Sequence, residues 1–487
     1  MRQERGAATQ TVGDSHSPLA DSAFLLCGMV IAAAVLRLVA LGRKSFWLDE
    51  IASVAISRRP APIFWHFLWH DEGNMALYYV LLKPWLHFGY SESAVRLLSV
   101  IPGVLSIPVM YALANRLFGR QTGILATALL ALNACAISVS QEARAYSWLV
   151  LLVLLSTYLF VRVVEHPTYP TAVAYALLAG VTCYIHYFGV LVPAAHVVSL
   201  LALPARERPW KPLLLAWGVI AIMAAPILWL IHAQDVGHIS WLQPPSWLEL
   251  YHLGVFLAAD GGKAVGAVLL ALELLLAGFF VAALRDVWWS NNDFQRWRYA
   301  LVASMVLAPV IITLLASIVR PAFYHRFLII CLPGWLLMMA IGLMRLPTRT
   351  WRTGMITIVC LLSLVTTGLF HVRPTEDWRG AVAYLIANTR GDDRVLYYQS
   401  VGQFAGESYR DWLQPSDAQR PATIGINAPD SGWRSRLDTP ARVWLVLYRA
   451  KPGDAEARAI AGDLSRSYSA GPSQTFHGIT IVPFNRR

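Results

Sequence analysis

Asp49 and Glu50 stand side by side in the stretch Ser45–Tyr79, SFWLDEIASVAISRRPAPIFWHFLWHDEGNMALYY, and a second acidic pair, Asp71-Glu72, follows in the same stretch. A carboxylate held at a membrane surface can take the proton of an acceptor hydroxyl or amine, a service worth about 10²–10⁴-fold in rate. Asp49 is the candidate base, with Glu50 beside it. The bland alternative is that both acids only complement the dipole of a helix starting near Leu48. His70, Asp71, Glu72 and Asn74 could bind an acceptor, ligate a metal or assist the base, or could simply solvate a loop. Gln141-Glu142-Ala143-Arg144 fills a very short turn between apolar runs. It reads equally as a structural Glu–Arg pair and as an acid completing an acceptor site, with Arg144 close to a phosphate. Arg320, Tyr324, His325 and Arg326 form a basic cluster that suits a lipid phosphate, because arginine presents a planar fork to phosphate oxygens. Snorkelling toward headgroups is the competing explanation. In His232–His252, His238 and Trp241 belong to a His- and Trp-rich segment whose rings could stack on a sugar or anchor at an interface. Its His spacings match no zinc pattern, so no metal is expected.

These residues must be positioned by a chain that is mostly oil. Of 487 residues 56% are hydrophobic and only 14% charged, with a mean hydropathy of +0.49; soluble domains average roughly 25% charge. The expectation is an α-helical polytopic membrane protein. Runs of the ~20 residues that span a bilayer suggest about eleven transmembrane helices: 23–41, 94–114, 123–139, 146–164, 171–187, 189–203, 213–231, 264–284, 299–319, 327–344 and 353–370. Basic loops around Arg116/Arg120, Arg206/Lys211, Arg285/Arg298 and Arg345/Arg352 all fall on the cytoplasmic side, as the positive-inside rule asks, only if Met75–Phe88 does not cross. That stretch, which carries Lys83, therefore lies in the interface of the first external loop. The same alternation brings 43–93, 141–145, 185–189, 232–263, 320–326 and everything after Phe370 to the external face. Residues 1–21 read as a disordered cytoplasmic N-terminus, 22–371 as the membrane domain, and 372–487 as a small extracytoplasmic α/β domain with helices over 378–388 and 454–465 and strands at 394–399, 443–448 and 479–483.

The formal charge of +11 sits mostly in short loops, which points to anionic headgroups and membrane lipids rather than nucleic acid. Cys27, Cys135, Cys183, Cys331 and Cys360 lie in apolar runs without CxxC spacing and read as small buried hydrophobes. No Walker A, HExxH, GxSxG or strand-following GxGxxG motif occurs, so no nucleotide cofactor is implied.

Trp47-Leu48-Asp49-Glu50, Met75-Ala76-Leu77-Tyr78-Tyr79, Arg116-Leu117-Phe118-Gly119-Arg120, Ser140–Tyr146, Tyr324-His325-Arg326-Phe327-Leu328 and Asp377-Trp378-Arg379 together resemble the C-type membrane glycosyltransferases, in particular bacterial relatives of the protein O-mannosyltransferases and the aminoarabinose lipid A transferases. The resemblance implies a polyprenyl-phosphate sugar donor, inverting transfer to a lipid, glycan or protein acceptor, and a multi-pass protein of the bacterial inner membrane with its site facing the periplasm or exterior. Asp49 matches the family's first-loop acid and Glu142 its acidic position after the third span. Tyr78 falls within the family's HPPLYY-like stretch, whose prolines are absent here, and His325 stands where the relatives' ERYLL-like stretch has glutamate. Glu50, Glu142, Asp71, Glu72, Asn74, Tyr78, Lys83, Arg144, His238, Trp241, Arg320, Tyr324, His325 and Arg326 are the further candidate site residues around Asp49. A lipid or solute transporter is the alternative class, favoured only by Glu273 inside a span.

Overall fold

The computed structural model of the protein describes residues 18–233, 242–260, 263–290, 292–414, 420–427, 432–451 and 453–487. In chain order the helices are α1 (Pro18–Leu38), α2 (Leu48–Arg58), α3 (Ala61–His70), α4 (Ala76–Trp85), α5 (Glu92–Phe118), α6 (Arg120–Leu132), α7 (Ala134–Ser140), α8 (Tyr146–Glu165), α9 (Tyr169–Ile185), α10 (Leu191–Ser199), α11 (Trp210–Ala233), α12 (Trp247–Ala259), α13 (Lys263–Trp288), α14 (Asp293–Val319), α15 (Leu332–Met344) and α16 (Arg349–Val372). Then follow α17 (Trp378–Asn388), β1 (Arg394–Tyr398), α18 (Ser400–Leu413), β2 (Ala422–Ile426), β3 (Arg442–Tyr448), α19 (Ala455–Ser465), β4 (Tyr468–Ala470), β5 (Gln474–Phe476) and β6 (Ile479–Arg486).

Among the described residues seven helical segments are long and apolar enough to cross a membrane, or eight if the bent pair α6–α7 counts as one span; four apolar helical segments are shorter. All eleven runs read from the sequence fall on helices, but three of them, on α1, α9 and the segment around α10, are below span length. The short α12 is an apolar helix the sequence reading did not separate. Met75–Phe88 forms the ten-residue α4 and a 3-10 turn, too short to span at 1.5 Å per residue. Beside it, α3 exposes Ile63, Trp65 and Trp69, the residue types that settle at a membrane interface.

Two breaks shape the bundle. α6 and α7 meet at a 55° bend, where Asn133 leaves the helical region and accepts the Ala136 N–H with its side-chain oxygen at 2.8 Å. Carbonyls freed by such a break need donors in an apolar medium. Arg37, buried on α1, donates to Leu130 O and Ala131 O at 3.2 Å each, while the Asn133 amide donates to Leu257 O at the end of α12 at 2.8 Å. At the other end of α7, a Cβ on Gly103 of α5 would lie 2.2 Å from the Ser140 hydroxyl, so only glycine lets these helices approach so closely.

The C-terminal sheet runs β2-β1-β3-β6-β4, with β5 also on β6; β1, β2 and β3 are parallel and β6 antiparallel. Its two faces alternate as a doubly covered sheet requires. Leu396, Tyr398, Val443 and Leu445 join Ile460 and Leu464 of α19 in one cluster. Val395, Tyr397, Trp444, Val446 and Tyr448 pack with Trp378, Ala405 and Tyr409 of α17 and α18, in a core continuous with that of the membrane helices.

Candidate active site

Glu50 is fully buried and its carboxylate is saturated. Arg96 of α5 grips it in a fork, Nε to Oε1 at 2.8 Å and Nη2 to Oε2 at 2.7 Å. The Ala143 N–H adds 2.8 Å to Oε1 and the Trp47 N–H 3.3 Å to Oε2, the latter tying the first turn of α2 back to the residue before it. Arg96 in turn holds Leu41 O and Lys44 O at 2.8 Å and Ser45 O at 3.1 Å. Charges this deep persist only when so fully partnered. Glu50 thus ties the loop before α2, the first turn of α2, α5 and the 141–145 turn into one block, and presents no free oxygen lone-pair direction to a substrate.

Asp49, one residue earlier, is the opposite. Its carboxylate is 39% exposed, with Arg144 Nη2 3.8 Å away. Arg144 also reaches the Ser53 hydroxyl at 3.4 Å, and its backbone carbonyl accepts from Ser99, whose hydroxyl also meets buried Tyr78 at 3.3 Å. Tyr78 therefore supports Arg144 from below. Glu142 pairs with Arg326, whose guanidinium lies 5.1 Å from the Trp47 ring and 5.2 Å from the Tyr146 ring. The capping residue of α2, the 141–145 turn and the segment before α15 thereby meet at one place. Burial pushes the Glu142 carboxyl up to about 7, against the pull of Arg326. Burial also raises Asp260, the left-handed residue that ends α12, again with Arg326 opposing. Lys44, which donates to Phe370 O at 2.6 Å, is lowered to about 8 by burial and by Arg96.

The other candidates divide. Tyr324 and His325 neighbour Arg326; the His325 ring approaches Glu249 at 3.6 Å, packs 5.5 Å from Phe256 and 4.6 Å from Tyr324, and His252 takes the other Glu249 oxygen at 3.3 Å. Asn74 accepts the Tyr187 N–H at 3.1 Å, pinning the 71–75 loop to the start of α10's segment, with Met75 in the left-handed region at φ 63°. Glu72 is half-buried and Asp71 exposed. Lys83 is not at the acids: it caps the far end of α2, donating to Ser57 O at 3.2 Å and Arg59 O at 2.5 Å, roughly three turns from Asp49. Arg320 is exposed at the end of α14. His238 and Trp241 lie outside the described residues. Glu273 is buried and accepts from the Trp335 indole at 2.8 Å. Among the described residues no group of three or more His, Cys, Asp or Glu side chains could hold a metal ion.

Sequence reasoning noted residues 377–379 as a motif but did not bring them, or Glu376, Tyr448 and Arg449, to the start of α2. Glu376 Oε2 accepts the Leu48 N–H at 3.3 Å, and its Oε1 accepts from Tyr448 and Arg449. The Asp377-Trp378-Arg379 run was legible as a motif; nothing local in the sequence signals that it grips residues more than 300 positions earlier.

Residues 79–232 match the family model described as dolichyl-phosphate-mannose-protein mannosyltransferase. The chain is similar in fold to the crystal structure of ArnT from Cupriavidus metallidurans in the apo state, at 14% identity and a TM-score of 0.65, covering 95% of this chain and 98% of that one. The same ArnT bound to undecaprenyl phosphate gives 14% identity, a TM-score of 0.64 and coverage of 94% and 97%. Archaeal oligosaccharyltransferase AglB from Archaeoglobus fulgidus, in complex with an inhibitory peptide and a dolichol-phosphate, gives 12% identity, a TM-score of 0.58 and coverage of 96% and 74%. No curated protein matches the sequence. The resemblance to C-type membrane glycosyltransferases thus extends from short motifs to the fold of nearly the entire chain.

Proposed function

We propose that this chain is a C-type membrane glycosyltransferase that moves a sugar from a polyprenyl-phosphate carrier to an acceptor at the external membrane face. The chain crosses the membrane eleven times in this proposal, with α1, α9 and the α10 segment as short spans in a bundle whose N-terminus is cytoplasmic. One observation carries it: an accessible carboxylate, Asp49, stands 3.8 Å from Arg144, and Arg326 packs 5.1 Å from the ring of Trp47 two residues earlier, at one end of a bundle that shares its fold with a protein crystallised with undecaprenyl phosphate.

Asp49 accepts the proton of the acceptor X–H group as X attacks the anomeric carbon from the face opposite the carrier. The bond from that carbon to the phosphate oxygen breaks, configuration inverts, and the electron pair leaves with the carrier phosphate. Charge building on that phosphate is the main electrostatic demand, and fixed cations meet it best. Arg326 and Arg144 fill this role, Arg326 exchanging its contact with Glu142 for the phosphate. Glu50 acts through structure, fixing the first turn of α2 that carries Asp49. The His325, Tyr324 and Glu249 group lies next to Arg326 and suits contact with the sugar.

The test is transfer of label from radiolabelled polyprenyl-phosphate mannose and polyprenyl-phosphate aminoarabinose into membranes of a strain lacking the protein. Wild type should transfer from one of them, and Asp49→Asn should lose about 10²–10⁴-fold of that rate. Undiminished transfer by Asp49→Asn removes the proposed base.

A further inference from the structure

The transmembrane end that carries Asp49 is clamped by the C-terminal domain. Residues 376–379, which follow α16 and open α17, share with Arg96 and Tyr409 the polar groups of the strap that precedes α2. Arg379 donates to Gly42 O at 3.3 Å and Arg43 O at 2.8 Å and pairs with Glu92 at 3.2 Å; its N–H reaches the Ser45 hydroxyl at 3.1 Å. Tyr409 of α18 accepts the Phe46 N–H at 2.7 Å and donates to the same Glu92 at 3.0 Å. Glu376 is the last grip before the reacting group. Its Oε2 takes the Leu48 N–H and the Trp378 indole, at 3.3 and 3.2 Å. Its Oε1 takes the Tyr448 hydroxyl at 2.8 Å and Arg449 Nε at 2.8 Å.

The sheet supplies this second half at a cost. Arg449 follows the carboxyl end of β3 with φ at 51°, a left-handed backbone its side chain does not favour, held by its N–H on Gly478 O at 3.0 Å. Strain of this kind persists where the surroundings impose it and collects at functional positions. The backbone turn is what swings the guanidinium off the sheet and onto Glu376. β1 and β3 are also where strand order reverses in the parallel part of the sheet, the place where open α/β sheets put their functional groups.

Resting on Asp49 as base, we propose that Glu376 is a positioning residue for the transfer reaction: by bridging the first turn of α2 to Tyr448 and Arg449, it lets the C-terminal domain set where the Asp49 carboxylate stands. A shift of about 1 Å at such a group can cost about 10²-fold in rate.

The experiment uses the full chain in nanodiscs and the double cycle of Glu376→Gln with Asp49→Asn, followed by single-turnover transfer from the polyprenyl-phosphate sugar that wild type consumes. Binding of radiolabelled undecaprenyl phosphate is measured alongside. Glu376→Gln should lower the transfer rate by about 10–100-fold while leaving carrier binding unchanged. In the Asp49→Asn background the same change should cost nothing further, since the bridge acts through the group already removed. Arg449→Gln, which leaves the Leu48 contact in place, should give a smaller loss of the same kind. Wild-type transfer by Glu376→Gln, or equal losses with and without Asp49, overturns the proposal. Full activity of Asp49→Asn alone overturns instead the assignment of the base on which it rests.

Discussion

Neighbouring acids in this chain have opposite fates, and the difference is solvation. Glu50 spends its charge on Arg96 and backbone N–H groups, whereas Asp49 keeps an exposed carboxylate beside Arg144. The sequence marks the pair but not the division, because Arg96 lies on a span 46 residues away and carries no motif of its own. Lys83 misleads for a similar reason: it looks like a phosphate ligand near the acids, yet the turn of α4 aims it at the carbonyls ending α2. Glu142 and Arg326 were legible as an acid and a base; that they hold each other was not. Their pairing has a pH consequence. Since burial sets Glu142 at about 7, the carboxyl is neutral below that value and ionised above it. On the proposed role of Arg326, ionised Glu142 competes with a donor phosphate for it, and neutral Glu142 does not. Affinity for polyprenyl-phosphate mannose, a phosphodiester with one fixed charge, should therefore rise as pH falls from about 8 to about 6. Glu142→Gln should bind at the tighter level throughout. Equilibrium binding in nanodiscs checks this, and an unchanged pH slope in the variant would count against the competition.

Among the elements, the broken span α6–α7 does most to place the 141–145 turn. A continuous helix would leave no unpaired carbonyls, but it would also drive Gln141 and Glu142 along a single axis away from α2. Asn133 makes the bend, and its amide reaches α12 while Arg37 covers the carbonyls of α6. Asn133→Ala removes a helix cap and leaves a buried carbonyl of α12 without its donor. A loss of about 1–3 kcal/mol in reversible unfolding in detergent is expected, with transfer falling in parallel because the turn shifts. Periodicity alone hides such a break, since both halves read as one apolar run. α18 was also left out of the sequence reading, although Val401, Phe404, Ala405, Tyr409 and Trp412 recur at helical spacing; the face it buries is Gly402, Ala405, Gly406 and Tyr409. The long helices and the strands β1, β3 and β6 were readable because their apolar runs are uninterrupted.

At the scale of the molecule, the proposed site lies at one end and a separate ionic knot at the other. Glu165 at the end of α8 takes Arg116 at 2.7 Å and Arg298 at 2.7 Å, joining loops that the positive-inside rule places in the cytoplasm. Reporters fused at Ser91 and at Gly119 should therefore fall on opposite sides of the membrane; the same side for both would undo the eleven-span topology. Loop charge made this polarity readable. The union of the sheet with the bundle was not, because it depends on contacts between residues 42–48 and residues 376–409 that no local pattern announces. Those contacts impose an order of events on synthesis. The strap is threaded through the membrane early, while the groups that fasten it lie hundreds of codons downstream, so a nascent chain carries its acid for most of translation without the fittings that aim it. On the proposed role of Asp49, a product terminated before residue 376 would insert its apolar helices with that carboxylate unaimed, and its transfer rate should fall at least as far as that of Glu376→Gln.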